Sequence, residues 1–117
     1  MPRILIVDDE GQIRTLLSMG LSQAGYQVTL AADGFEAMKL CIAETFDAVL
    51  SDINMPRMDG LALVRWIAAN RPKVRYALMS ALGIDCNERS IGAQCPFLRK
   101  PFFPRDAVAL VEGMLSS

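Results

Sequence analysis

Phe46-Asp47-Ala48-Val49-Leu50-Ser51-Asp52 is an apolar run closed by a carboxylate. An equally apolar run, Ile4-Leu5-Ile6-Val7, ends on the acidic pair Asp8-Asp9, and a third, Phe97-Leu98, leads through Arg99 to Lys100. Strands apolar on both faces belong inside a parallel sheet, with helices covering either side. If the three runs share one sheet, three carboxylates and one ammonium meet at a single edge. That grouping suits a divalent metal ion and a phosphoryl group.

Working outward from these runs, apolar segments alternate with helical patterns, the signature of a parallel sheet with crossover helices. Strands are predicted at about 3–7, 26–31, 47–51, 74–80 and 97–99, with 26–31 at an edge. Helices are predicted at about 12–24, 35–44, 61–70, 84–91 and 104–116. Their inward stripes are Ile13, Leu16, Leu17, Gly20, Leu21 and Ala24; Phe35, Met38, Cys41 and Ile42; Leu61, Val64, Ile67 and Ala68; and Val108, Val111 and Leu115. Gly25 can end the first helix, Asp33-Gly34 can start the second, and Pro104 suits a first helical turn. Gly83, Gly92 and Pro96 confine the fourth helix to a short, irregular segment. The expected fold is α/β: a doubly wound five-stranded parallel sheet in a three-layer α/β/α arrangement. One domain over residues 1–117 accounts for every element, with no linker, repeat or output domain expected.

Composition narrows the function. A chain of 117 residues that is 52% hydrophobic and 21% charged is that of a folded globular domain. A net charge of −1 with scattered basic residues favours neither nucleic acid nor an acidic membrane. Histidine is absent, which removes Ser-His-Asp and Cys-His catalysis and histidine-ligated metals. Cys41, Cys86 and Cys95 have neither disulfide nor zinc spacing, and read as reduced thiols. No apolar stretch reaches the ~20 residues of a membrane span, and Met1-Pro2-Arg3 runs straight into a strand. A cytoplasmic location is expected.

In open α/β sheets, ligands bind outside the carboxyl ends of the strands. Asp8, Asp9, Asp52, Ser80 and Lys100 all fall there. Clustered carboxylates repel unless a cation offsets them, and Mg²⁺ takes oxygen ligands of this kind. With metal bound, a carboxylate can attack phosphorus while Lys100 and the Ser80 hydroxyl face the developing charge.

Ile4-Leu5-Ile6-Val7-Asp8-Asp9-Glu10, Asp52-Ile53-Asn54-Met55-Pro56 with Met58-Asp59-Gly60, Ser80-Ala81 and Lys100-Pro101-Phe102 together resemble the receiver domain of two-component response regulators. The resemblance is to the CheY-like, single-domain kind, with its flavodoxin-like fold, and runs from Arg3 to about Leu115. It implies that Asp52 accepts a phosphoryl group from a phosphohistidine on a histidine kinase or histidine phosphotransfer protein. Asp9, Asp52 and the Asn54 backbone carbonyl would ligate Mg²⁺, with Asp8 acting through a water. Lys100 would contact the phosphate, and Ser80 with Phe97 would form a switch pair. Ala81 would leave room for the partner's histidine, and the Lys100–Pro101 bond would be cis. The switched surface would comprise the fourth helix, fifth strand and fifth helix, in a monomer or a weak phosphorylation-dependent dimer. Self-catalysed phosphoacceptance without turnover of a free substrate is expected, not an enzyme in the ordinary sense. Two rivals stand beside it: a phosphate-independent binding module on the same scaffold, and a small aspartyl-phosphate phosphatase. The latter would want Asp-x-Asp after the first strand, where this chain has adjacent Asp8-Asp9.

Overall fold

The computed structural model describes residues 1–55, 58–80 and 96–116. The helix predicted at 84–91, Pro56 and Ala81 lie outside the described residues. In chain order the elements are β1 (Arg3–Val7), α1 (Gly11–Gln23), β2 (Gln27–Ala31), α2 (Gly34–Ala43) and β3 (Ala48–Asp52). They continue with α3 (Gly60–Asn70), β4 (Arg75–Ser80), β5 (Phe97–Arg99) and α4 (Pro104–Ser116). The strands form one sheet in the order β2-β1-β3-β4-β5, and every pairing is parallel. This is the doubly wound α/β architecture expected, with strand boundaries displaced by at most one residue.

The central strands are apolar on both faces because both faces are covered. Ile4, Ile6, Ala48, Leu50, Ala77 and Met79 pack with Leu17 and Leu21 of α1 and with Ala107, Val111 and Met114 of α4. On the opposite face Leu5, Val7 and Val49 pack with Ala37 and Cys41 of α2 and with Leu63 and Ile67 of α3. Cys41 is buried there as a small apolar residue, as read, and burial pushes its thiol pKa up.

Helix ends follow local chemistry. The Asp33 carboxylate accepts from the Glu36 amide at 2.9 Å, and that of Asp59 from the Ala62 amide at 2.8 Å, each capping a helix N-terminus. Gly25 closes α1 at a φ of +99°, a conformation costly for any residue with a side chain.

The rotation of the helices departs from the expected stripes. Leu16, Ala24, Phe35 and Ile42 are exposed, and so is Ala68, although all were expected inward. In α2 the inward face is Gly34, Ala37 and Cys41, the small residues. The cause is a close approach: a Cβ on Gly34 would lie 2.5 Å from the Met58 carbonyl oxygen. A helix pressed that near a backbone presents its smallest side chains, so Phe35 and Ile42 turn outward. In α4 the buried positions are Ala107, Val111 and Met114, while Val108 and Leu115 are half-buried beside them.

Candidate functional site

Three parallel pairings place the chemistry. Val7 lies opposite Ser51, so the next residues, Asp8 and Asp52, leave neighbouring strands at the same edge. Asp52 lies opposite Met79, and Ser80 opposite Arg99, which sets Lys100 just beyond β5. The Lys100 amide donates to the Ser80 carbonyl at 3.0 Å, and the Lys100–Pro101 bond is cis.

Lys100 reaches back across the sheet edge. Its Nζ donates to Asp8 Oδ2 at 2.8 Å and lies 3.4 Å from Asp52 Oδ2 and 3.7 Å from Glu10 Oε1. Asp8, Asp52 and Ser80 are buried, and the Lys100 side chain is only 13% exposed, so water screens these charges weakly. Asp8 is held at every polar group. Its amide donates to the Ala31 carbonyl, its Oδ1 accepts from the Glu10 amide at 2.9 Å, and its carbonyl accepts from Arg14 Nη1 at 2.6 Å.

The electrostatics follow from that crowding. Burial, and then the negative charge of Asp8, raise the Asp52 pKa above its usual value; Lys100 and the Ile53 amide oppose the shift without cancelling it. For Lys100, burial is the largest influence and pulls its pKa down. The hydrogen bond and charge of Asp8, then the charges of Asp52 and Glu10, together outweigh burial and leave it raised.

A carboxyl whose pKa rises on folding binds more protons folded than unfolded, so its ionisation costs stability as pH climbs from the unfolded toward the folded value. Metal-free Asp52→Asn protein is therefore expected to unfold at a higher temperature than wild type at neutral pH. The difference should vanish below the ordinary carboxylate range, where both forms are neutral at position 52. Thermal unfolding across that pH window checks the sign; a variant less stable than wild type at neutral pH contradicts it.

Asp8, Asp9 and Glu10 can each offer one carboxylate oxygen within 4.8 Å of the other two, with Asp9 and Glu10 exposed. Asp52 is not within that trio, and Lys100 links it to Asp8 and Glu10. An all-oxygen donor set of clustered carboxylates, with the Asp52 carboxylate tied to it through Lys100, fits a hard divalent cation such as Mg²⁺. Asn54 lies exposed in the bend after β3. Phe97 is half-buried on β5 against the cluster of Ile53, Leu61, Val64 and Leu78. Of the predicted site residues, then, Asp8, Asp52 and Lys100 meet directly, Asp9 lies beside Asp8, and Ser80 is buried at the adjoining strand end.

Three participants were given no role in the site by the sequence reading. Glu10 faces Lys100, Arg14 grips the Asp8 carbonyl, and Gly60 approaches the Asp52 backbone. A third acid in a row hinted at Glu10. Arg14 and Gly60 depend on how a turn closes, which spacing does not reveal.

The response regulator receiver domain family matches this chain over residues 4–112. The transcriptional regulatory protein PrrA of Mycobacterium tuberculosis is 34% identical over 117 residues, covering 97% of this chain but 50% of its own length. Among solved structures, chemotaxis protein CheY4 of Vibrio cholerae superposes with a TM-score of 0.89 at 31% identity, covering 98% of this chain and 99% of that one. Response regulator protein TrrA of Thermotoga maritima, solved in complex with Mg(2+)-BeF, gives a TM-score of 0.89 at 32% identity, covering 98% and 100%.

Proposed function

This chain belongs to the response regulator receiver domain family of two-component systems, and on that premise we propose that Asp52 accepts a phosphoryl group from a phosphohistidine on a histidine kinase or phosphotransfer protein. The observation that carries the reading is the bridge of Lys100 between buried Asp8 and buried Asp52 at the carboxyl edge of the sheet. An Asp52 carboxylate oxygen attacks phosphorus, the O–P bond forms, and the P–N bond breaks with its electron pair leaving on the imidazole. Lys100 turns its ammonium toward a phosphoryl oxygen and offsets the developing negative charge, and the buried Ser80 hydroxyl donates to another. Asp9, Asp52 and the Asn54 carbonyl would hold Mg²⁺, with Asp8 through a water. When bound, the ion neutralises charge on the transferring group. The TrrA complex with Mg(2+)-BeF, on a closely similar fold, supports that assignment.

Phosphorylation would then change the surface near β5 and α4 through Ser80 and Phe97, for recognition by another protein or onward relay. No free substrate turns over in this scheme. No helix among the described residues is long and apolar enough to cross a membrane. PrrA's role as a transcriptional regulatory protein belongs to a protein of which this chain covers half.

Incubation with acetyl phosphate and Mg²⁺ is expected to add one phosphoryl group by intact mass, and a chelator to prevent it. A protein that takes up no phosphoryl group and no beryllofluoride with Mg²⁺ present would instead be a phosphate-independent module. Steady hydrolysis of a generic phosphate ester would indicate the phosphatase.

A further inference from the structure

Arg14 stands in the first turns of α1, where the helix dipole disfavours a cation. Nothing nearby on the helix compensates: α1 has no acidic residue in its first turn, and its N-cap residue, Glu10, makes no side-chain cap. The placement has a different return. The Arg14 amide donates to the Glu10 carbonyl at 3.2 Å, and its guanidinium reaches back to the Asp8 carbonyl at 2.6 Å. One residue thus grips both ends of the turn that carries Asp8, Asp9 and Glu10. Asp8 in turn holds Lys100 through Oδ2 and the Glu10 amide through Oδ1. From this geometry we infer that Arg14 is a positioning residue, whose guanidinium clamps the β1–α1 turn and so aims its carboxylates at the site.

The inference rests on reading this edge as a Mg²⁺ and phosphoryl site, but its first consequence needs neither. The Glu10 amide, bonded to Asp8 Oδ1, reports the clamp in metal-free protein. Arg14→Met keeps the stem and removes the donors. It is expected to speed exchange of the Glu10 amide about tenfold, as loss of a hydrogen bond from a charged group permits, while amides of Leu5 and Leu17 keep their protection. By calorimetry it should also weaken Mg²⁺ binding about tenfold, the low end of what losing an outer-shell partner costs. Arg14→Lys, with charge and a donor at similar reach, should restore both. Unchanged Glu10 exchange overturns the inference. So does faster exchange spread evenly over β1 and α1, which would mean a general role in stability. Mg²⁺ binding in Arg14→Met as tight as in wild type overturns it too. If wild type takes up no Mg²⁺ while Glu10 exchange responds as described, the clamp stands and the metal assignment falls.

Discussion

Asp52→Asn protein is expected to take up no phosphoryl group from acetyl phosphate and Mg²⁺ under conditions that fully modify wild type. An amide lacks the anionic oxygen that must form the new bond to phosphorus, so the loss should be complete and not merely a slowing. Lys100→Met supplies the contrast. Its acceptor remains, and removing one donor to the transition state should slow uptake by about 10²–10³-fold without abolishing it. The loss in the Asp52 variant could not be assigned to unfolding, because removing a buried carboxylate with a raised pKa is expected to stabilise the metal-free domain at neutral pH. Intact mass, followed by peptide mapping, reads the outcome. A phosphoryl group retained in Asp52→Asn and mapped to Asp9 or Glu10, the exposed carboxylates alongside, would move the acceptor off β3 and overturn the scheme.

How far the site was legible in the sequence depends on which force placed each residue. β1 and β3 must be apolar on both faces to sit inside a parallel sheet, so their runs stand out, and the charges that end them mark one edge. Asp8, Asp52 and Lys100 were readable for that reason. Helix rotation was not, because periodicity counts apolar residues without regard to size. α2 turns Ala37 and Cys41 inward in place of Phe35 and Ile42 since Gly34 meets the Met58 backbone, a contact between segments 24 positions apart. The partner preference of Lys100 was also hidden. It lies nearer Asp8 than Asp52, 2.8 Å against 3.4 Å, because three other hydrogen bonds hold Asp8 in place, one of them to its carboxylate. Turn closure, not spacing, decides such details.

The same dependence on close approach makes Gly60 the position where one methyl group should do the most harm. A Cβ there would lie 2.1 Å from the Asp52 carbonyl oxygen, 2.9 Å from its carbonyl carbon and 3.0 Å from the Ile53 Cα. All three are backbone atoms, so no side chain can swing aside; the start of α3 or the end of β3 has to move. Either shift strains the Gly60 amide's hydrogen bond to the Ile53 carbonyl, 2.9 Å long, and the Asp59 cap beside it. Gly60→Ala is expected to reach or exceed the upper end of the usual overpacking cost, about 3 kcal/mol. In a domain of this size that lowers Tm by about 10 °C or more. Gly113→Ala is the control. Nothing among the described residues lies within 4 Å of its added Cβ in α4, and replacing a helical glycine should gain about 0.5–1 kcal/mol. Because the displaced backbone belongs to Asp52 itself, Gly60→Ala should also slow phosphoryl uptake at temperatures where it remains folded, whereas Gly113→Ala should not. Thermal unfolding by circular dichroism and uptake rates by intact mass test both halves. A Gly60→Ala protein with the wild-type Tm would show that α3 does not press on the acceptor strand as closely as 2.1 Å implies.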